Sequence, residues 1–334
     1  MFNLVWTEGA FDYLSLFTRS LLAESTARYR MVANGCTSEE IARMEAFAVE
    51  HPDGIADVVV VSESDTLSHG KALDAVRRLR DDGDHFCLID PDILATGPFV
   101  EDFLSILPPG GAVTSGKELW SDSNVLPEGH IGLNGEYFFR ADGYVFGSPH
   151  FAIYDRQGLD ATVERWGIGF ASGSTDLPPD GQALLEAKGL AYWMFDTAKL
   201  VNIMLQEGGH PLVHQEHDAL VHVGGLLHYL WAPRVTDGEG EVDVDWARWA
   251  NQGPRHQVAR YAAQVLHALA DGQPAPEVPA TASPELIDRL ERTRDALART
   301  ADAHGEGWTG RTPRRDLAQG AASSYFVLNR ALES

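Results

Sequence analysis

The chain is poor in cysteine, in basic residues and in long apolar runs, and each shortage closes off a class of protein. Two cysteines, Cys36 and Cys87, cannot build a disulfide framework or a cysteine-based zinc site. Lys and Arg number 26 against 49 Asp and Glu, which leaves a formal charge of −23 and a pI near 4.8. Nucleic acids and anionic membranes are bound through clustered Lys and Arg, so neither is an expected partner. No window approaches the roughly 20 apolar residues of a membrane helix. The opening MFNLVWTEGAFDYLSLF also lacks the basic stretch and apolar run of a signal peptide. A cytoplasmic protein is expected. No G-x-G-x-x-G follows a strand-like run, which argues against a dehydrogenase.

What is present suffices for a core: 44% of the 334 residues are apolar and 9% aromatic, so the acidity does not signal disorder. An acidic protein that holds a phosphorylated ligand needs a metal ion or backbone dipoles to offset the repulsion. Short apolar runs alternate with helical patterns through the first hundred residues. FNLVW (2–6), YRMVANG (29–35), ADVVVVSE (56–63) and HFCLID (85–90) read as strands, the third as a buried parallel one. Such repetition implies a mainly parallel sheet flanked by helices. Residues 108–180 read as irregular, with strand-like pieces EYFFRADGYVF and HFAIYD. QALLEAKGLAYWM and DTAKLVNIMLQEG read as helices, and PLVHQE and ALVHVGG as short strands. The stretch 245–272 reads as a helix that Gly253-Pro254 should break or kink. A Pro/Ala linker (272–284) precedes an amphipathic helix with Pro284 at its first position. The expected organisation is α/β, with a catalytic body at 1–235 and a C-terminal helical appendage at 236–334.

The most informative segment is HFCLIDPDIL (85–94). A strand ends in Asp90-Pro91-Asp92, which places two carboxylates at the carboxyl edge of the expected sheet, where open α/β sheets bind ligands. Carboxylates this close repel unless a cation sits beside them, and oxygen ligation suits Mg²⁺ or Mn²⁺. The plainer alternative is a loop in which the Asp residues cap a turn. Trp6, Thr7 and Glu8 close the first strand, Asn34 the second and Ser62 the third, so all should share that edge and suit a base and its ribose. Trp6 can equally be core.

The element order and the strand-borne Asp90-Pro91-Asp92 resemble the GT-A fold of nucleotide-sugar-dependent glycosyltransferases, in which a D-x-D motif holds a divalent metal against the donor diphosphate. SHGKALD (68–74) is similar to the segment beside the nucleoside in such enzymes and brings in His69 and Gly70. HVGGLLHYLW (222–231) resembles the H-x-x-G-x-x-K-P-W signature of family 8 glycosyltransferases. There His222 matches the metal His and Gly225 the Gly, while His228 stands where a phosphate-contacting Lys is usual, Tyr229 replaces Pro, and Trp231 falls one residue late. The resemblance implies Asp90, Asp92 and His222 as ligands of Mn²⁺ or Mg²⁺. It also implies a nucleotide-diphosphate sugar, a UDP-sugar by expectation, as donor and a hydroxyl-bearing small molecule or glycan as acceptor.

A catalytic base for an inverting reaction is expected among Asp176, Asp180 and Asp196, the last two of which can instead cap helices. His210, His214 and His217 cluster near His222 and His228, which raises zinc as a rival, though short strands splay such side chains onto different faces. A related reading is a sugar-phosphate nucleotidyltransferase, but TEGAFDYL follows the first strand where those enzymes carry a Gly-rich loop with Arg and Lys. A non-catalytic nucleotide-binding protein on the same scaffold is the other alternative. The C-terminal helices are candidates for a homo-oligomer contact. Arg311, Arg314 and Arg315 suggest either a phosphate-contacting lid or a solvated loop.

Overall fold

The computed structural model describes residues 1–63, 65–80, 83–115, 117–118, 136–139, 145–146, 149–188, 190, 197–226, 253–279 and 284–304. Strands and helices alternate from the start: β1 (Phe2–Thr7), α1 (Phe11–Glu24), β2 (Tyr29–Asn34), α2 (Ser38–Glu50), β3 (Ile55–Ser62), α3 (His69–Leu79) and β4 (His85–Ile89). Local chemistry sets several boundaries. Thr37 Oγ1 accepts the Glu40 N–H and the Glu40 carboxylate accepts the Thr37 N–H, a reciprocal cap that starts α2. Asn34 ends β2 and spends its amide on the next loop, donating to the Leu67 carbonyl and accepting the Leu67 N–H, both at 2.9 Å.

Then follow β5 (Ile93–Ala95), α4 (Val100–Ile106), β6 (Ala112–Ser115), β7 (Lys117–Glu118), β8 (Glu136–Phe139), β9 (Val145–Phe146) and β10 (Phe151–Asp155). The chain continues through α5 (Arg156–Trp166), α6 (Pro179–Ala187), α7 (Lys199–Glu207), β11 (Leu212–His214), β12 (Leu220–His222), α8 (Gly253–Ala270) and α9 (Pro284–His304). Seven strands form one sheet in the order β11-β6-β10-β4-β1-β2-β3, flanked by helices. Every neighbouring pair is parallel except those of β10, which runs antiparallel between β4 and β6. The chain builds outward from β1 to β3 and then returns to lay β4 on the other side of β1. That reversal opens a crevice beyond the carboxyl ends of β1 and β4, the place where open α/β sheets take their ligands.

The expected α/β class, mainly parallel sheet and C-terminal helices are therefore present. Two readings are corrected. The 108–180 stretch is not wholly irregular: RQGLDATVERW is α5, with the Asp155 side chain accepting the Gly158 N–H at 3.1 Å and Gly167 ending it at φ 65°. HFAIYD, read as strand-like, holds β10, which runs antiparallel to both its neighbours. The helix expected across 182–194 ends at Ala187, where Lys188 and Leu190 N–H groups both return to Leu185. Of the helix expected over 245–272, Gly253–Ala270 is α8, and residues 245–252 lie outside the described residues.

The chain parts into two compact units. One comprises Met1–Thr7, Glu24–Pro91 and Gly97–Leu220; the other comprises Glu8–Ala23, Asp92–Thr96 and Val221–Ser334. The expected boundary near residue 235 lies outside the described residues. Within the first unit, Val5, Val32, Leu88 and Ala152 from the sheet pack with Leu159, Phe170 and Met204. Phe170 stacks on Phe86 at 5.3 Å and meets Tyr154 edge-on at 5.7 Å. The Tyr154 hydroxyl donates to Asn202 at 2.8 Å, and burial holds it above the ordinary tyrosine range. Within the second unit α8 and α9 pack together, and Tyr13 of α1 meets His267 of α8 at 5.8 Å.

Gly70 lets the first turn of α3 lie directly on the backbone of Phe170 and Ala171: a methyl group there would stand 2.6 Å from the Phe170 carbonyl. Gly70→Ala should therefore destabilise the protein. The overpacking costs about 1–3 kcal/mol against rigid backbone, more than the up to about 1 kcal/mol that alanine gains in a helix. Denaturant unfolding should show a lowered midpoint.

Candidate functional site

Within the first unit the chemistry gathers where β4 ends. The β4–β10 register pairs Ile89 with Phe151, so the residues just beyond, Asp90 and His150, face each other, and the Asp90 N–H donates to the His150 carbonyl at 2.7 Å. The side chains meet as well. His150 Nδ1 lies 3.3 Å from Asp90 Oδ2, and His69 Nε2, from the start of α3, lies 3.8 Å from Asp90 Oδ1. Asp90 is thus a half-buried carboxylate, 21% exposed at the side chain, with imidazoles on both oxygens. On the far side of β10 and β6, β11 brings His214 opposite Thr114, whose hydroxyl is 3.3 Å from His214 Nδ1. Burial first, and then repulsion from His150, pull His214 down to about 3. It is therefore a neutral imidazole at ordinary pH.

The second unit holds the other half of the motif. Asp92 is buried; its Oδ1 lies 3.3 Å from His222 Nε2, and its Oδ2 accepts the Leu226 N–H at 3.4 Å. The Asp92 carbonyl accepts the Val223 N–H at 3.2 Å. Gly224 and Gly225, at φ 67° and 72°, let the chain turn back in a left-handed conformation that β-carbon-bearing residues resist. Asp92 and His222 are thereby held together by backbone as well as side-chain contact.

The remaining sequence candidates fall in varied places. Thr7, Asn34 and Ser62 end β1, β2 and β3 at the edge where β4 delivers Asp90, and Glu8 is the next residue after β1. Asn34 is buried and committed to Leu67, a wall residue rather than an open contact. Trp6 is fully buried, and its carbonyl accepts the Cys36 thiol at 3.4 Å. Its ring therefore belongs to the core. Asp176 is exposed and accepts the Gly173 N–H at 2.8 Å. Asp180 is exposed in the first turn of α6, where Pro178 rather than Asp180 occupies the cap position. Asp196, His228, Tyr229, Trp231 and the arginines of 311–315 lie outside the described residues.

Zinc across the histidine cluster finds little support among the described residues. His217 is tied to Asp102 at 3.1 Å and accepts the Ala219 N–H, while His214 pairs with Thr114. His150 is the residue that sequence reasoning missed. Its signal was its position as the first letter of HFAIYD, but its relevance needed the antiparallel pairing with β4.

A second device fixes the neighbourhood of His69. Asp74, one turn into α3, accepts the Phe170 and Ala171 N–H groups at 2.9 and 3.4 Å, and Gly169 leaves room for its carboxylate. The Phe170 carbonyl accepts the Ala198 N–H at 2.8 Å, so the 169–171 segment is held from two sides.

No protein-family model and no curated protein matches the chain. Solved structures similar to it include a mannosyltransferase from Pyrobaculum calidifontis in complex with GDP-Man and Mn²⁺ (14% identity, 98% of this chain, 80% of that chain, TM-score 0.40). They also include the galactosyltransferase LgtC in complex with donor and acceptor sugar analogs (12% identity, 64% and 72%, TM-score 0.40). A third is a nucleoside-diphosphate-sugar pyrophosphorylase from Vibrio cholerae RC9 (9% identity, 66% and 94%, TM-score 0.38). Likenesses of this strength assign no function to this chain.

Burial raises the Asp74 carboxyl above the usual range despite its two backbone donors and nearby Arg78 and Arg77. A raised carboxyl contributes stability below its unfolded value, about 3.9, and loses it as pH climbs through the folded value. Asp74→Asn should remove that pH dependence. Paired denaturation curves should show the variant gaining on the wild type as pH rises above about 4.

Proposed function

We propose that this protein is a divalent-metal-dependent glycosyltransferase that moves a sugar from a nucleotide-diphosphate donor, a UDP-sugar by the sequence reading, to a hydroxyl-bearing acceptor. The observation that carries the reading is that each carboxylate of Asp90-Pro91-Asp92 has an imidazole nitrogen at 3.3 Å, His150 on one and His222 on the other. Strand β4 delivers the first of them to the crevice at the sheet reversal. The carboxylate oxygens suit Mn²⁺ or Mg²⁺, and an added imidazole nitrogen favours Mn²⁺ of the two. Asp90, Asp92 and His222 would hold the ion. When bound, it supplies positive charge to the departing diphosphate.

The chain's own residues do the rest. Thr7, Glu8, Ser62, His69 and Gly70 form the donor-facing edge, with Asn34 holding the 62–68 loop behind them. Gly225 shapes the turn that carries His222, and His228 is the candidate phosphate contact. Proton removal from the acceptor falls to Asp176, Asp180 or Asp196, of which Asp176 is an exposed carboxylate in a loop anchored through Phe170 and Asp74. The formal charge of −23 makes a cation necessary for a doubly charged diphosphate to settle at this edge.

The reading is tested by thermal shift and calorimetry with nucleoside diphosphates, with and without Mn²⁺. Binding of one nucleotide should require the metal and be lost in Asp92→Ala, while His222→Ala should weaken metal affinity about 10–100-fold. Binding that ignores the metal, or no nucleotide binding at all, would sink the proposal.

A further inference from the structure

Arginines gather at the other end of β4. Arg77, Arg78 and Arg80 close α3, Arg156 opens α5, and together with Leu79 and Asp160 they line an open cleft of about 500 Å³. Asp155, the residue before Arg156, pairs with His85 at the start of β4. The full strand, roughly 16 Å of chain at 3.3 Å per residue, therefore separates this cleft from Asp90.

Among the described residues that line the cleft, acceptors are few. One carboxylate, Asp160, is shared by two guanidiniums: Arg77 Nη1 at 2.7 Å and Arg156 Nε at 2.9 Å. Arg156 Nη2 also reaches the Arg77 and Arg80 carbonyls at 3.4 Å, which pins the end of α3. Two covered donors, Arg77 Nε and Arg156 Nη1, have no acceptor among the described residues. Arg78 and Arg80 stand exposed at the rim, and Arg80 is 3.5 Å from Asp57, a carboxylate already held by Arg30 at 2.7 Å.

Basic residues in a last helical turn complement the helix dipole, and that explains Arg77 and Arg78 on α3. It does not explain a fourth arginine brought from α5 to the same cleft in a chain with nearly twice as many acidic as basic residues. We infer that this cleft binds a small phosphate-bearing anion, whose oxygens supply the missing acceptors in the forked geometry guanidinium favours. The site stands apart from the Asp90 edge and does not depend on the proposed transfer reaction.

Calorimetric titration of the full chain with inorganic phosphate, in chelator and at constant ionic strength, reads the site directly. Saturable binding is expected, unchanged in Asp92→Ala and weakened about tenfold or more in Arg78→Glu, the loss expected from one charge-assisted contact. Arg78 is exposed, so this variant keeps the buried pins intact. Arg156→Lys, which keeps the charge but loses the fork, should also weaken binding. Phosphate heats no different from a chloride control, or saturable binding indifferent to Arg78→Glu and Arg156→Lys, would overturn the inference.

Discussion

The seating of β10 between β4 and β6, antiparallel to both, is the constraint on which the carboxyl edge of the sheet depends. A parallel strand arriving there would present its far end. The reversed strand instead begins at this edge, so His150 enters beside Asp90, one carbonyl accepts the Asp90 N–H, and the two side chains face each other. The register carries through β10 to β6 and β11, which is why His214 meets the same end of the sheet and is held neutral there. Moving β10 by one residue would turn His150 to the other face and leave Asp90 without it.

Charge organises the rest. A chain with 49 acidic residues cannot hold a diphosphate on carboxylates alone. Two features locate where anions are tolerable. In the first unit Asp90 carries the imidazole of His150 and in the second Asp92 carries that of His222, the two pairs on which the proposed cation site rests. At the amino end of β4 four arginines line one cleft. The two ends of β4 thus bear on different proposals, a cation site at one and a phosphate site at the other.

Much of the parallel half was legible in the sequence because its signals are local. ADVVVVSE reads as a strand and HFCLID ends on the acidic pair, but β3 is the last strand of its sheet with Val60 exposed, not the buried strand expected. What was not legible depends on partners distant in sequence. α5 was hidden because its apolar positions, Leu159, Val163 and Trp166 among them, are few and polar residues surround them. His150 acquires meaning only across a ladder to a strand 60 residues earlier. Trp6 was legible as either core or base platform, and its complete burial favours the core. Asp74 closes SHGKALD with no local mark of its role, yet it fixes a backbone segment some 96 positions downstream.

The central claim is that the end of β4 is a cation site. The most direct measurement is anomalous scattering from crystals of the full chain grown with Mn²⁺ and a nucleoside diphosphate. The account predicts a manganese peak at bonding distance, about 2.0–2.3 Å, from carboxylate oxygens of Asp90 and Asp92, with the diphosphate beside it. A diphosphate bound there without manganese, or manganese bound only elsewhere, would contradict it.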